Sequence, residues 1–130
     1  MSRPVVLYAC IHNSGRSVAA LYLTRHLFPE LDARSAGSEP GPSVNPGVAQ
    51  VLAEQGISVE DHVPSLLTHE ALQEADVVVT MGCGETCPVF PGKRYEDWPV
   101  DDPKGQDLET VRRIVADVEA RVRDLAARLP

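Results

Sequence analysis

At 130 residues, 43% of them hydrophobic and 24% charged, the chain has the size and composition of one globular domain, and it needs neither a disulfide framework nor a structural metal to close its core. Twelve Lys and Arg against nineteen Asp and Glu give a formal charge of -7, which argues against broad binding to a nucleic-acid backbone and requires any anion to be held locally. No apolar run approaches the ~20 residues of a transmembrane helix.

Met1-Ser2-Arg3 leads into Pro4 to Ala9, a nearly unbroken apolar run of the type expected for a strand buried on both faces. It ends at Cys10 without a small-residue cleavage site, so it reads as a first strand rather than a signal peptide, and the expected location is cytoplasmic. Ser17 to Leu27 carries Val18, Leu21 and Tyr22 at helical spacing and is bounded by Pro29. Asp32 to Ala36 is read as a short strand, Gly37 to Pro46 as a loop and Gly47 to Gln55 as a helix. Thr68 to Glu74 reads as another helix, and Asp76 to Thr80, β-branched and flanked by polar residues, as the clearest strand. Gly82 to Gly92 is read as a loop, Lys93 to Trp98 as a fourth strand and Pro99 to Gly105 as a loop. From Leu108 to Leu129 an apolar stripe recurs at steps of three and four, with Glu109/Arg113 and Glu119/Arg123 spaced for ion pairs on the wet side of a long amphipathic helix.

Strands alternating with helices predict an α/β fold: one domain over residues 1–130, with a four-stranded parallel sheet flanked by helices on both faces. In a flavodoxin-like strand order, strands one and three lie side by side and ligands bind beyond their carboxyl ends. A monomer is expected.

The junction of the first strand and the first helix carries the chemistry. Cys10-Ile11-His12-Asn13-Ser14-Gly15-Arg16-Ser17 lies where backbone N–H groups at a helix amino terminus have no intrahelical partner and sit at the positive end of the dipole. Asn13 and Gly15 tolerate left-handed backbone, Arg16 supplies a planar fork for two oxygens of a tetrahedral anion, and Ser17 can hydrogen bond to Cys10. The same field favours the thiolate of Cys10 and makes it a nucleophile. The plain alternative is a buried apolar cysteine beside an ordinary turn, but a cysteine, an arginine and a serine in this spacing between strand and helix favour the anion site. Three cysteines in a chain without an export signal argue for reactive thiols rather than structural disulfides.

This loop resembles that of the low-molecular-weight tyrosine phosphatase superfamily, Cys-x-x-x-x-x-Arg-(Ser/Thr), and within it the arsenate reductase branch, where Cys-x-His-Asn-x-Gly-Arg-Ser is common. The resemblance extends to Ser35-Ala36-Gly37, to Thr80-Met81-Gly82-Cys83 and to Asp97-Trp98 through Asp101-Asp102-Pro103. It implies the low-molecular-weight phosphatase fold, an oxyanion site formed by Ile11, His12, Asn13, Ser14, Gly15, Arg16 and Ser17, and Cys10 as nucleophile. By spacing alone Asp102 is equally a turn residue and a general acid. The resemblance places the acid in this Asp-Pro, with Asp101 as the runner-up and Trp98 as a packing residue.

Cys83 lies three residues beyond Thr80 and Cys87 four further on. Cys-x-x-x-Cys without a second ligand pair does not complete a zinc site, so no metal is expected; filler in the core is the other plain reading. The resemblance implies a cascade: Cys10 attacks arsenate, Cys83 attacks Cys10 to release arsenite, and Cys87 takes over the disulfide, with no bound cofactor and electrons from thioredoxin through an NADPH-dependent reductase. The two later cysteines stand closer together than in the best-known thioredoxin-coupled members. That leaves a route through mycothiol or bacillithiol, completed by a glutaredoxin-like partner. Some relatives hold a potassium ion near the loop, where this chain has Leu21 in place of a carboxylate.

Two rivals use the same residues. A protein tyrosine phosphatase needs Cys10, Arg16 and Asp102 with water as the second nucleophile; Lys104-Gly105 after the Asp-Pro, in place of aromatic residues, counts against it. A non-catalytic oxyanion binder or redox sensor would use the cysteines as switches. Ser35 is expected to brace the loop, His12 to make a structural hydrogen bond, and His26, His62 and His69 to be surface residues without partners.

Overall fold

A computed structural model describes residues 3–82 and 94–129. The elements run β1 (Val5–Cys10), α1 (Arg16–Leu27), β2 (Asp32–Gly37), α2 (Pro46–Glu54), α3 (His69–Glu74), β3 (Val77–Thr80), β4 (Arg94–Asp97) and α4 (Leu108–Arg128). All strands are parallel, in the order β2-β1-β3-β4, so the expected neighbourhood of β1 and β3 is found. Boundaries shift by about one residue from those expected: β1 ends at Cys10, as expected, but begins at Val5 rather than Pro4, and Arg16 opens α1. The expected loop from Gly82 to Gly92 lies outside the described residues except for Gly82, as does Lys93 at the start of the fourth strand.

The pleat of β1 explains its unbroken apolar sequence. Val6, Tyr8 and Cys10 face one core with α1, α2 and α4, while Leu7 faces a smaller one with Leu72 and Ala75 at the end of α3. The central strand is thus buried on both sides, whereas β4 is a half-exposed edge.

Helix α4 buries Val111, Ile114, Val115, Val118, Val122 and Leu125, the expected stripe. At about 1.5–3 kcal/mol for each aliphatic side chain removed from water, this face anchors the helix far more strongly than its surface pairs do. The Glu119/Arg123 pair forms at 3.1 Å. Arg113 instead turns to Thr110 Oγ1 at 3.3 Å, so the Glu109/Arg113 spacing is not used as expected.

The edge strand is tied down by charge. Arg128 grips Glu96 with both nitrogens, at 2.7 and 2.9 Å, while Arg94 and the Trp98 indole also donate to Glu96. Chiefly through Arg128, the Glu96 carboxyl is held down at about 2. Trp98, 4% exposed, leans on Tyr8 with ring centroids 5.7 Å apart and fixes the start of the chain that returns to the carboxyl edge of the sheet. Tyr8 shares a 2.8 Å hydrogen bond with Thr24, and burial pushes its phenol up to about 12.

Candidate active site

Three connections converge at the carboxyl edge of β1. Cys10 pairs with Gly37 of β2, Ala9 with Thr80 of β3, and Trp98 N–H donates to Thr80 O as the chain leaves β4. This is the place where crossovers from a central strand diverge to either side, the usual ligand position in such sheets.

The loop is shaped from outside. The carbonyls of Cys10, Ile11, His12 and Ser14 accept from the N–H groups of Ser38, Glu39, Gly41 and Asn45. In trans peptides the N–H groups of Ile11, His12, Asn13 and Gly15 then point the opposite way, away from these partners. Helix α1 continues this donor surface. Asn45, Thr68 and Asp107 cap α2, α3 and α4 through their side chains, but Gly15 provides no side-chain cap for α1, and its first turn holds no acidic residue. Its free N–H groups suit an external anion.

Cys10 is buried, with Sγ 2.9 Å from Ser17 Oγ. The direction of that bond follows from its neighbours. Ser65 N–H donates to Asn13 Oδ1 at 3.1 Å, which fixes the amide so that Asn13 Nδ2 donates to Ser17 Oγ at 2.8 Å. The hydroxyl proton of Ser17 is thereby directed to Cys10 Sγ. Asn13 takes up the expected left-handed backbone, with φ 49°. Gly15 does not: its φ is -131°. Its lack of a side chain serves packing, since a Cβ there would lie 2.8 Å from Pro103 Cγ.

A cleft of about 450 Å³ opens above the loop, lined by Cys10, Arg16, Glu39, Asp102 and Lys104 among others. The Arg16 side chain is 11% exposed; Nη1 donates to Val100 O at 3.3 Å and Nη2 stands 3.9 Å from Asp102 Oδ2. Asp102 Oδ1 accepts from Lys104 N–H at 3.0 Å, so the acid is held in an Asx turn with its other oxygen towards the arginine. Asp102 is thus a turn residue whose carboxyl also lines the cleft that holds Cys10. Asp102 lines the cleft and its neighbour Asp101 does not.

Among the oxyanion-loop residues, Ile11 is half-buried and its peptide carries the bond to Glu39, while Ser14 lines the cleft. His12 makes its structural bond, Nδ1 to Glu39 O at 2.9 Å. Cys83 and Cys87 lie outside the described residues. Ser35 departs from expectation: its hydroxyl is buried without a partner, and the brace comes from Ser65, whose Oγ donates to Ser35 O at 3.1 Å while its N–H holds Asn13. His62 departs as well. It packs edge-on to Tyr22, ring centroids 5.6 Å apart, and burial holds its imidazole below the ordinary value, whereas His26 and His69 are exposed. Leu21 is buried in the main core, and its side chain offers no oxygen to a potassium ion.

Ser65, Glu39, Asn45 and the Val100 carbonyl went unmarked in the sequence because each acts through the backbone or from a distant loop. A cap at Asn45, just ahead of Pro46, was the one local signal available.

The chain resembles known proteins in sequence and fold. The chain is similar to an arsenate reductase of Halalkalibacterium halodurans, 34% identical over 97% of this chain and 97% of that protein. A solved structure of an arsenate reductase from Archaeoglobus fulgidus superposes with a TM-score of 0.82 at 34% identity, covering 95% of this chain and 99% of that one. A thioredoxin-dependent arsenate reductase of Corynebacterium glutamicum gives a TM-score of 0.81 at 36% identity; 97% of this chain is covered, but only 61% of that longer chain. No helix among the described residues is long and apolar enough to cross a membrane. With the description "Low molecular weight phosphotyrosine protein phosphatase" matching residues 5–130, the chain belongs to the low molecular weight phosphotyrosine protein phosphatase family.

Proposed function

We propose that this protein is an arsenate reductase. The observation that carries the reading is the Asn13–Ser17–Cys10 relay at the floor of an oxyanion loop whose cleft also holds Arg16 and Asp102. The names of its similar relatives agree with this substrate.

The proposed reaction runs in balanced steps. Arsenate lies in the loop with its oxygens on the N–H groups and on Arg16. The Cys10 thiolate attacks arsenic, an As–S bond forms, and one oxygen leaves as water with a proton from Asp102. The Cys83 thiolate then attacks Cys10 Sγ. The As–S bond breaks, its electron pair reduces As(V) to As(III), and arsenite departs from a Cys10–Cys83 disulfide. Cys87 attacks Cys83, frees Cys10 as a thiolate and forms the Cys83–Cys87 disulfide. Thioredoxin reduces that disulfide with two electrons drawn from NADPH through its reductase.

The test supplies the protein with arsenate and NADPH, coupled separately to thioredoxin with its reductase and to a mycothiol or bacillithiol system with a glutaredoxin-like protein. Cys83→Ser and Cys87→Ser are each expected to abolish thioredoxin-coupled turnover. Full activity in both variants overturns the cascade, and turnover with the small thiol alone moves the reductant to that class. Hydrolysis of a phosphotyrosine mimic that outpaces arsenate reduction would return the chain to phosphatase chemistry. Lys104, which lines the cleft just beyond Asp102-Pro103, speaks against that outcome because it offers no ring for an aryl ester to stack on.

A further inference from the structure

Gly82 follows β3 and Met81 with a left-handed backbone, φ 76°. Gly56 and Gly105 share that conformation, at φ 78° and 74°, and a side chain at either would meet open space. Gly82 is different. A Cβ built on it would lie 2.8 Å from Arg16 Cζ and 3.0 Å from Nη2, and would run into Nη1.

The guanidinium is held on two sides, so a methyl group at position 82 would push it off these partners and into the cleft it lines. Nη1 donates to Val100 O at 3.3 Å, Nη2 faces Asp102 at 3.9 Å, and the side chain is 11% exposed. The arginine therefore lies in a slot between the end of β3 and the chain from Val100 to Asp102. Met81 N–H is bonded to Ala9 O, which fixes the β3 wall of that slot to the strand that delivers Cys10.

We propose that Gly82 is a positioning residue for the oxyanion site: the missing side chain at position 82 creates the slot that orients the Arg16 fork towards the loop. The inference rests on the reading of Arg16 as a ligand of the anion. It explains why a glycine stands at the last position before Cys83, where left-handed backbone alone would also admit asparagine. It also places the arginine that receives the anion against the first residue of the segment that carries the second thiol of the proposed cascade.

The experiment measures how inorganic phosphate protects Cys10 from iodoacetamide, in a background in which Cys83 and Cys87 are serine, and compares Gly82→Ala with Gly56→Ala. Both substitutions impose the same backbone strain, but only the first fills the arginine's slot. Gly82→Ala is expected to weaken the apparent phosphate Kd by about tenfold or more, while Gly56→Ala changes it by less than about twofold. In the three-cysteine protein, the KM for arsenate should rise with Gly82→Ala and not with Gly56→Ala. A folded Gly82→Ala protein that keeps the parent's phosphate affinity overturns the proposal. If Gly82→Ala does not fold, adding Arg16→Ala empties the slot and should restore a cooperative melting transition; failure to restore it also overturns the proposal. Arg16→Ala alone separates the two levels of the argument, because unchanged phosphate protection there would remove Arg16 as the anion's ligand and the role of Gly82 with it.

Discussion

Asn13 donates to the hydroxyl of Ser17 from 2.8 Å, with its own carbonyl oxygen held by Ser65 N–H, so the amide has one orientation and the serine proton has one destination, Cys10 Sγ. Removing either member should withdraw a hydrogen bond from the attacking sulfur. Ser17→Ala is expected to slow alkylation of Cys10 by iodoacetamide at neutral pH by about tenfold, the order of one charge-assisted hydrogen bond. Asn13→Ala should slow it less if the serine proton still finds the sulfur, and should also loosen the loop, because Ser65 loses its acceptor. Alkylation rates equal to the parent's in both variants would refute the relay.

The contact between Gly15 and Pro103 predicts a separable effect. Gly15→Ala would force Pro103, and Asp102 with it, away from the loop, since the new methyl group would stand 2.8 Å from Pro103 Cγ. Arsenate turnover is expected to fall by about tenfold or more through the misplaced acid, while the alkylation rate of Cys10 changes little. Equal losses in both measurements would place the damage in the loop itself and not in the acid.

Glu96 predicts an acid limit to stability. Its carboxyl is held at about 2 in the folded protein, chiefly by Arg128, against an ordinary value of 4.5. A depressed carboxyl stabilises the fold fully above its unfolded value and loses that contribution as pH falls through the folded one. The melting temperature should therefore drop steadily between about pH 4.5 and about pH 2 as this carboxylate is protonated. Glu96→Gln should lower the melting temperature at neutral pH and make that acid slope shallower. A variant with the parent's slope would show that other carboxylates govern it.

Much of the fold was legible because apolar periodicity follows directly from burial. The unbroken run before Cys10 marked a strand buried on two faces, and the stripe from Val111 to Leu125 marked the wet and dry sides of α4. The ion pairs were less legible. Charges on a helix surface choose among several partners of nearly equal energy, and Arg113 took Thr110 rather than Glu109. Ser35 and Gly15 do not play the parts their sequence positions suggest. The hydroxyl of Ser35 bonds to nothing, and Gly15 is needed for an approach by Pro103 that no local pattern announces.

The sequence by itself determined that a cysteine, an arginine and a turn of backbone N–H groups share one short segment, because their relation depends only on spacing along the chain. Tertiary structure alone decided which atoms complete them. Ser65 orients Asn13, Val100 and Gly82 seat Arg16, and Asp102 rather than Asp101 meets the cleft, through contacts between segments that are distant in sequence and adjacent only after the parallel sheet has gathered its carboxyl ends.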